Sequence, residues 1–294
     1  MTPRMHSREL GLVLAQQLLA VDDLHYGLWD GSLELSLSNA RVAQERYTDL
    51  LLSPLPPSEP GPVRVLDVGC GTGHLLARLH AAGYRADGVS PSPALTRLAR
   101  ERLARAAVRD ARIFECRFED LPAAALGNDY DVVLFSESFQ YIELESALRL
   151  LPRLLKPAGL LVICDFFKTE HHGDGGPGDR TFGGGHPWRA YMERMRGAPF
   201  ALERNEDITR QVSPNVELVN QLLEQRLRPA TATLAEYFTG NYPKLSWLVG
   251  LLLRRRLAKL RRKYLAGHRT AATFERYKTY RFLVYRLSPA AATP

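Results

Sequence analysis

The sequence is poor in cysteine and has no long hydrophobic run. Its three cysteines, Cys70, Cys116 and Cys164, form no C-x-x-C pair, and an odd number cannot be fully paired within one chain. The longest apolar run, from Leu245 to Leu253, is less than half of the ~20 residues that a membrane-spanning helix needs. These absences argue against a disulfide-stabilised secreted domain and a transmembrane protein, so we expect a cytoplasmic protein.

Acidic residues are almost missing from one part of the chain. The formal net charge is +7, yet from Lys244 to Arg286 there are thirteen Lys or Arg residues and a single acid, Glu275. That part therefore carries +12, and the remainder carries −5. The basic excess is local, which indicates a charged surface and not a general property of the fold.

The densest basic stretch is "LVGLLLRRRLAKLRRKYL" at residues 248–265. Its spacing predicts a helix with Leu253, Leu257, Leu260 and Tyr264 on one face and cations on the remainder. Three interpretations stay open: a solvated face, contact with an acidic or lipid-like acceptor, and contact with an anionic membrane surface, which would make the protein peripheral at the membrane. Nucleic acid is disfavoured, because the aromatic residues that follow alternate like those of a strand and do not form a stacking platform.

The order of patterns along the chain predicts an α/β fold. Residues 1–55 are predicted as helices, and "GLVLAQQLLAV" is interpreted as an amphipathic helix because Gln16 and Gln17 interrupt it. After a proline-rich connector, strand and helix patterns alternate from residue 60 to 170, which predicts a Rossmann-like, mostly parallel seven-stranded sheet with helices on both faces. Residues 200–215 and 275–288 complete this core, and 170–200 and 216–272 are predicted lid or cap insertions.

A glycine-rich loop, "VLDVGCGTG", follows the first predicted strand and opens a helix. Its glycines, Gly69, Gly71 and Gly73, form G-x-G-x-G and not the dinucleotide pattern, and Asp67 stands two residues before the first of them. A pyrophosphate would be repelled by this carboxylate, whereas the cationic S-adenosylmethionine would be attracted.

The stretch resembles motif I of the class I S-adenosylmethionine-dependent methyltransferases. The resemblance covers roughly residues 60–170 and the last strand, and it implies S-adenosyl-L-methionine as cofactor.

Further stretches can be matched to the same family. "GVSPS" has Ser90 where most members carry a ribose-binding acid, and in this the chain is similar to the tocopherol, sterol and cyclopropane-fatty-acid group. "CRFEDLP" resembles the adenine loop, with Arg117 in place of its usual first acid. The N-terminal "HYGLWD" resembles a segment that closes over the cofactor. Residues 1–55, which contain it, are therefore predicted to close over the cofactor in this chain. The implied cofactor-binding residues are Tyr26, Trp29, Asp67, Gly69, Cys70, Gly71, Gly73, Ser90, Pro91, Phe118, Glu119 and Ser136.

The residues that face the methyl acceptor are predicted to follow the fourth and fifth strands. The stretch "FSESFQYI" places Glu137 and Tyr141 beside the reaction, and "GGGHPW" places His186 in a lid loop, so these three are the catalytic candidates. The predicted substrate-binding residues are Gln140, Tyr141, His186 and Trp188. Further base candidates are His25, His171 and His172. No metal site is predicted, because the spacing of His171, His172, Asp174 and His186 matches no standard metal motif.

The resemblance implies methyl transfer to a small, hydrophobic or lipid-like metabolite, with the acceptor atom undetermined. Two alternatives stay open, an RNA methyltransferase and a non-catalytic partner subunit with the same fold. The first is weakened because "SESF" differs from the N/D-P-P-Y/F/W motif of enzymes that methylate exocyclic base nitrogens, and no Pro-Cys pair of the cytosine-C5 enzymes is present. The sequence makes no prediction of oligomeric state.

Overall fold

The computed structural model describes residues 25–59, 61–223, 225, 228–248, 250–251 and 268–288. The amphipathic helix predicted near the start of the chain lies outside the described residues. So does most of the basic helix predicted over 248–265, including all seven of its cations.

Seven strands form one sheet. They are β1 (Arg64–Val68), β2 (Arg85–Val89), β3 (Ile113–Phe114), β4 (Tyr130–Ser136), β5 (Leu155–Lys168), β6 (Phe200–Asp207) and β7 (Lys278–Leu287). Their order is β3-β2-β1-β4-β5-β7-β6. The pairs among β1 to β5 are parallel, and β7 is antiparallel to both of its neighbours. The predicted mostly parallel seven-stranded sheet is confirmed.

Helices occupy the connections where the continuous apolar runs of the strands give way to apolar residues spaced three or four apart. They are α1 (Ala40–Leu52), α2 (His74–Ala81), α3 (Pro93–Arg105), α4 (Leu144–Leu154), α5 (Trp188–Arg196), α6 (Thr209–Val212), α7 (Pro214–Leu222), α8 (Arg228–Asn241) and α9 (Ala271–Tyr277). Helix α3 begins at a proline, and the Ser92 hydroxyl accepts a hydrogen bond from the backbone N–H of Leu95 at 3.2 Å.

The core lies on both faces of the sheet, because successive side chains of a strand point to opposite sides. Leu66 and Ile163 belong to a cluster on one face that Leu151 of α4 completes. Val65 and Val162 belong to a second cluster on the other face, together with residues of α2. Burial on both faces explains why these strands are continuous apolar runs and not alternating ones.

The carboxyl ends of β5 and β6 and the first residues of β7 meet at one edge of the sheet. Lys168 pairs with Lys278, and Asp207 pairs with Arg281. The carboxyl ends of β1, β2 and β4 lie at the same edge, since these strands run parallel to β5. Ligands of open α/β sheets bind at this edge, so it is where the predicted site residues are expected to meet.

The segments outside the regular core differ in burial. Helix α9 leads into β7 with Phe274 and Tyr277 buried. Helix α8, in contrast, has no buried residue, and residues 243–248 that follow it are helical and largely exposed. Among the described residues, none of the helices has the length and apolar character required to cross a bilayer.

Candidate active site

The glycine loop connects the end of β1 to the start of α2. Gly69, Gly71 and Gly73 all have positive φ values, of 91°, 51° and 77°. A Cβ at Gly73 would lie 2.9 Å from the Cα of Ala99, and one at Gly69 would collide with the side chain of Ser138. Only glycine satisfies both the backbone conformation and the close approach of these neighbouring segments.

Asp67 is 2% exposed near the end of β1, just before this loop, and it pairs with Gly88 of β2. Cys70, inside the loop, is also buried, and burial together with the charge of Asp67 raises the pKa of its thiol. Cys70 therefore stays protonated at neutral pH and lines the loop as a small apolar residue, not as a nucleophile.

The end of β2 presents a hydroxyl where an acid is more common. Ser90 is 3% exposed, and its Oγ accepts a 3.4 Å hydrogen bond from the backbone N–H of Ser92. Pro91 between them is exposed. Ser90 and Asp67 thus follow neighbouring strands at the same edge of the sheet.

Phe118 and Glu119 lie in a 3₁₀ turn after β3. Phe118 is buried edge-on against Phe135, with ring centroids 5.5 Å apart. Partial burial alone would raise the pKa of Glu119, but hydrogen bonds from backbone N–H groups, including that of Glu143 at 3.2 Å, and from Arg117 hold it below the usual range. Glu119 is therefore an ionised acceptor at the edge of the site.

Glu137 is the most constrained of the predicted residues. It follows Ser136 at the end of β4 with a φ of 52°, a conformation that is rare for a residue with a side chain. Its Oε1 accepts hydrogen bonds from the backbone N–H of Tyr26 at 2.7 Å and from the hydroxyl of Tyr280 at 2.9 Å. Burial raises its pKa, and those two donors and the nearby His25 offset part of the rise. Backbone strain maintained around a partly buried carboxylate is typical of functional sites.

Two tyrosines extend the contacts of Glu137 into the core. The hydroxyl groups of Tyr280 and Tyr47 lie 2.8 Å apart, and Tyr47 also donates to the carbonyl of Cys164. Ser136 Oγ lies 3.4 Å from the Tyr47 hydroxyl. His25 stacks on Tyr47 with ring centroids 4.3 Å apart. These contacts fix the position of Tyr280 and, through its hydroxyl, that of the Glu137 carboxylate.

A second buried carboxylate lies one strand away. Asp165 in β5 accepts hydrogen bonds from the backbone N–H of Gln140 at 2.9 Å and from its side-chain amide at 3.1 Å. Burial, and to a smaller extent the charge of Glu137, raises the pKa of Asp165 to about 8. The Oε1 of Gln140 is buried without a hydrogen-bond partner among the described residues.

The lid residues approach the same region. His186 Nε2 lies 3.2 Å from the carbonyl oxygen of Phe139, so Nε2 carries the donated proton and Nδ1 is the nitrogen left to accept one. Trp188 stacks on Tyr191 and contacts Phe167. Tyr141 is 52% exposed. Their roles stay predictions.

The N-terminal segment is tied to the site through backbone and ring contacts. Tyr26 packs near Phe274 and Tyr280. Trp29 is buried in a small cluster with residues of α1 and α7, and its indole N–H donates to Asn215 at 3.1 Å. The structure therefore joins Tyr26 directly to Glu137 and gives Trp29 an anchoring contact; cofactor binding by either stays a prediction.

Four further residues of this region were not found from the sequence. They are Tyr47, Asp165, Lys278 and Tyr280. An acid inside the otherwise apolar "LLVICDFF" was a signal for Asp165, since an ionisable group in a buried strand is rare without a role. Tyr280 and Lys278 carried no such signal, because alternating aromatic and basic residues are ordinary in a strand.

The residues at this edge fit a cationic adenosyl ligand. The positive φ values of the glycines allow close approach of a flat group, and the buried Asp67 supplies a negative charge beside them. The Ser90 hydroxyl can donate or accept at the next strand. Asp67, Gly69, Gly71 and Ser90 are thus the residues that would hold the adenosyl and amino-acid parts of S-adenosylmethionine.

Residues 65–159, which run from β1 into β5, match the sequence model of a family described as a methyltransferase domain. These residues form a methyltransferase domain. The family resemblance based on the glycine loop is confirmed by this match, and the methyltransferase domain contains Asp67, the glycine loop, Ser90 and Glu137.

Curated proteins with similar sequences include methyltransferases that match part of this chain. Over 112 residues the chain is 27% identical to a sterol 4-C-methyltransferase of Caenorhabditis elegans, covering 37% of this chain and 33% of that enzyme. The chain spans less than half the length of the curated relatives it matches.

Solved structures share the fold over almost the whole chain. A putative sarcosine dimethylglycine methyltransferase from Galdieria sulphuraria aligns with a TM-score of 0.69 and 15% identity over 94% of this chain and 98% of that one. The 4+2 cyclase SpnF aligns with a TM-score of 0.66 and 21% identity over 95% and 93%. Because one of these proteins is a cyclase, the fold by itself does not define the reaction of the methyltransferase domain.

Proposed function

We propose that this chain transfers the methyl group of S-adenosylmethionine to a small, hydrophobic or lipid-like metabolite. The observation that carries the proposal is the buried Asp67 beside the glycine loop with its positive φ values, inside a matched methyltransferase domain. The similarity to a sterol methyltransferase supports a hydrophobic acceptor.

The residues at this edge of the sheet would have different roles in the reaction. The bound cofactor would supply an electrophilic methyl carbon. Asp67 and the glycine loop would orient the cofactor, and the N-terminal segment, joined to Glu137 through the Tyr26 N–H, would exclude water. For an acceptor that loses a proton, Glu137 is the favoured base, because it is partly buried, is held by the Tyr280 hydroxyl and has a raised pKa. His186 Nδ1 is a second candidate.

The test is transfer of labelled methyl from S-adenosylmethionine into a cell extract separated into lipid, small polar and RNA pools. Label is expected in the lipid pool. Label in the RNA pool would support the alternative RNA methyltransferase. Binding of the cofactor with no label in any pool would support the non-catalytic partner, and the absence of cofactor binding would contradict all three.

We further propose contact with an anionic membrane surface through α8 and the residues that follow it. This segment contains large apolar side chains that are about half exposed or more. They are Leu234, Tyr237, Phe238, Tyr242, Leu245, Trp247, Leu248 and Leu251. In the sequence, the seven cations between Arg254 and Lys263 come directly afterwards. Exposed aromatic residues next to a basic run suit the interface between headgroups and acyl chains.

Flotation with vesicles tests this contact. Binding to phosphatidylserine vesicles is expected to exceed binding to phosphatidylcholine vesicles and to weaken with salt, because each Lys or Arg near an anionic surface contributes about 1 kcal/mol. Trp247→Ser with Leu251→Ser should reduce binding. Leu202→Ser, an exposed leucine of β6, is the matched control and should not. Equal binding to both vesicle types, or a steep salt dependence on RNA alone, would contradict the proposal.

A further inference from the structure

A cleft of about 880 Å³ opens where β5 and β6 end and β7 begins. Its wall contains Trp188 of the predicted substrate-binding residues and none of the predicted cofactor-binding ones. Five cations and three acids line it, and they are Lys168, Arg189, Arg210, Lys278, Arg281, Glu170, Asp207 and Glu275. The cleft is therefore a separate space with a positive balance of charge.

Two of the three acids are already engaged by the protein. The carboxylate of Asp207 accepts from the Arg281 guanidinium at 3.0 Å and from the backbone N–H of Thr209 at 3.0 Å. Glu275 accepts from the hydroxyl of Ser213 at 2.5 Å. Asp207 and Arg281 balance each other, so the four other cations of the cleft stand against two acids, Glu170 and Glu275. The cleft therefore keeps a positive balance of charge.

Lys168 and Lys278 lie directly opposite each other in the β5–β7 pair. Like charges in this position repel and destabilise a sheet. The ammonium of Lys278 is fully buried, donates to the carbonyl of Gly184 at 2.6 Å and lies 5.2 Å from the centre of the Phe166 ring. In the part of the chain that the structure describes, no carboxylate lies within ion-pair distance of either lysine. Burial, and then the charge of Lys168, lowers the pKa of Lys278 to about 8.

This pair borders the predicted lid. The backbone N–H of Lys168 donates to the carbonyl of His186 at 2.8 Å, and Gly184, which accepts from Lys278, lies against the side chain of Gln140. On the opposite wall, Arg281 stacks over Trp188 at 4.7 Å and is held there by Asp207. The cations thus lie between the lid and an aromatic surface, next to the acceptor side of the site.

We infer that this cleft binds an oxyanion, a carboxylate or a phosphate, carried by the acceptor molecule at the end away from the methylated atom. The inference rests on the proposed function, because it takes the acceptor to occupy the space beside the lid. Lys168 and Arg210 make the direct contacts, since Lys278 is fully buried and contributes through its charge. The anion relieves the repulsion between the opposed lysines, and Trp188 covers the adjoining apolar part. The acceptor is therefore an anionic amphiphile.

Calorimetry on the full chain, with octyl phosphate, octanoate and octanol as probes, tests the inference. At least one of the two anions is expected to bind saturably and at least about tenfold more tightly than octanol, since a charge-assisted hydrogen bond contributes about that factor. The stronger of the two anions identifies the oxyanion. Lys168→Gln and Arg210→Gln should each weaken that binding about tenfold.

Arg109→Gln, an exposed arginine before β3, is the matched control and should leave anion binding unchanged. All three variants should bind S-adenosylhomocysteine with wild-type affinity, which separates the cleft from the cofactor site. The inference is overturned if octanol binds as tightly as both anions, if neither anion binds, or if the cleft variants bind like wild type. Anion binding without methyl transfer to any extract pool would leave the anion site standing and refute the proposed reaction.

Discussion

Replacing Asp67 with asparagine is expected to weaken the binding of S-adenosylmethionine about a hundredfold, because removing one member of a buried, close charge pair costs about 2–5 kcal/mol. Asparagine has the shape of aspartate, and Asp67 is almost fully buried, so the loss would reflect charge and not exposure of the loop. Calorimetry with the cofactor and with S-adenosylhomocysteine measures the effect.

Asp131→Asn is the control for this substitution. Asp131 lies at the opposite, amino-terminal edge of the same sheet, where its carboxylate accepts from the backbone N–H of Arg64 and from Lys156. Its replacement should lower stability and leave cofactor affinity unchanged. Wild-type affinity in Asp67→Asn would show that the cofactor does not bind beside the glycine loop, and it would remove the basis of the proposed function.

Asp67 and the glycine loop were found from the sequence because their signal is local. A strand, a turn and a helix follow one another within a few residues. This succession accounts both for the positive φ values of the glycines and for the burial of Asp67. The mostly parallel sheet was predictable for the same reason, since alternating strand and helix patterns leave few arrangements.

The surroundings of Glu137 were not predictable in this way. Its two hydrogen-bond donors, Tyr26 and Tyr280, are 111 and 143 residues away in the chain. Only the antiparallel insertion of β7 beside β5 brings Tyr280 to this edge of the sheet. The cross-strand pair of lysines has the same origin, because its partners come from strands separated by the whole lid and cap region. Long-range pairing decides which polar residues meet, and the sequence pattern of each strand does not contain that information.

The three carboxylates at this edge, Asp67, Glu137 and Asp165, have different surroundings and so suit different tasks. Asp67 stands beside the loop that would hold a cation, where a negative charge is useful. The partly buried Glu137 and the buried Asp165 lie in surroundings that raise their pKa values, which makes a proton available to be held or released. Of these two, Glu137 has the strained backbone and follows the strand end that faces the predicted acceptor, so it is the residue whose chemistry can be tested most directly.

Replacing Glu137 with glutamine is expected to lower kcat at least about a hundredfold, the usual contribution of a positioned general base. The amide oxygen of glutamine can still accept from the Tyr26 N–H and the Tyr280 hydroxyl, so the fold should persist. In wild type, activity should rise with pH through the pKa of Glu137, which burial places above its ordinary value, because only the carboxylate accepts a proton. The variant should lack this acid limb of the pH profile.

Glu145→Gln, which removes an exposed carboxylate paired with Arg194 on the surface, is the matched control and should keep both kcat and the pH profile. Cofactor affinity should be similar in all three proteins, which separates a base from a binding residue. A Glu137→Gln variant with unchanged kcat would show that the acceptor needs no base from this side chain. If kcat fell while the acid limb remained, Glu137 would be a positioning residue, and His186 would become the candidate base.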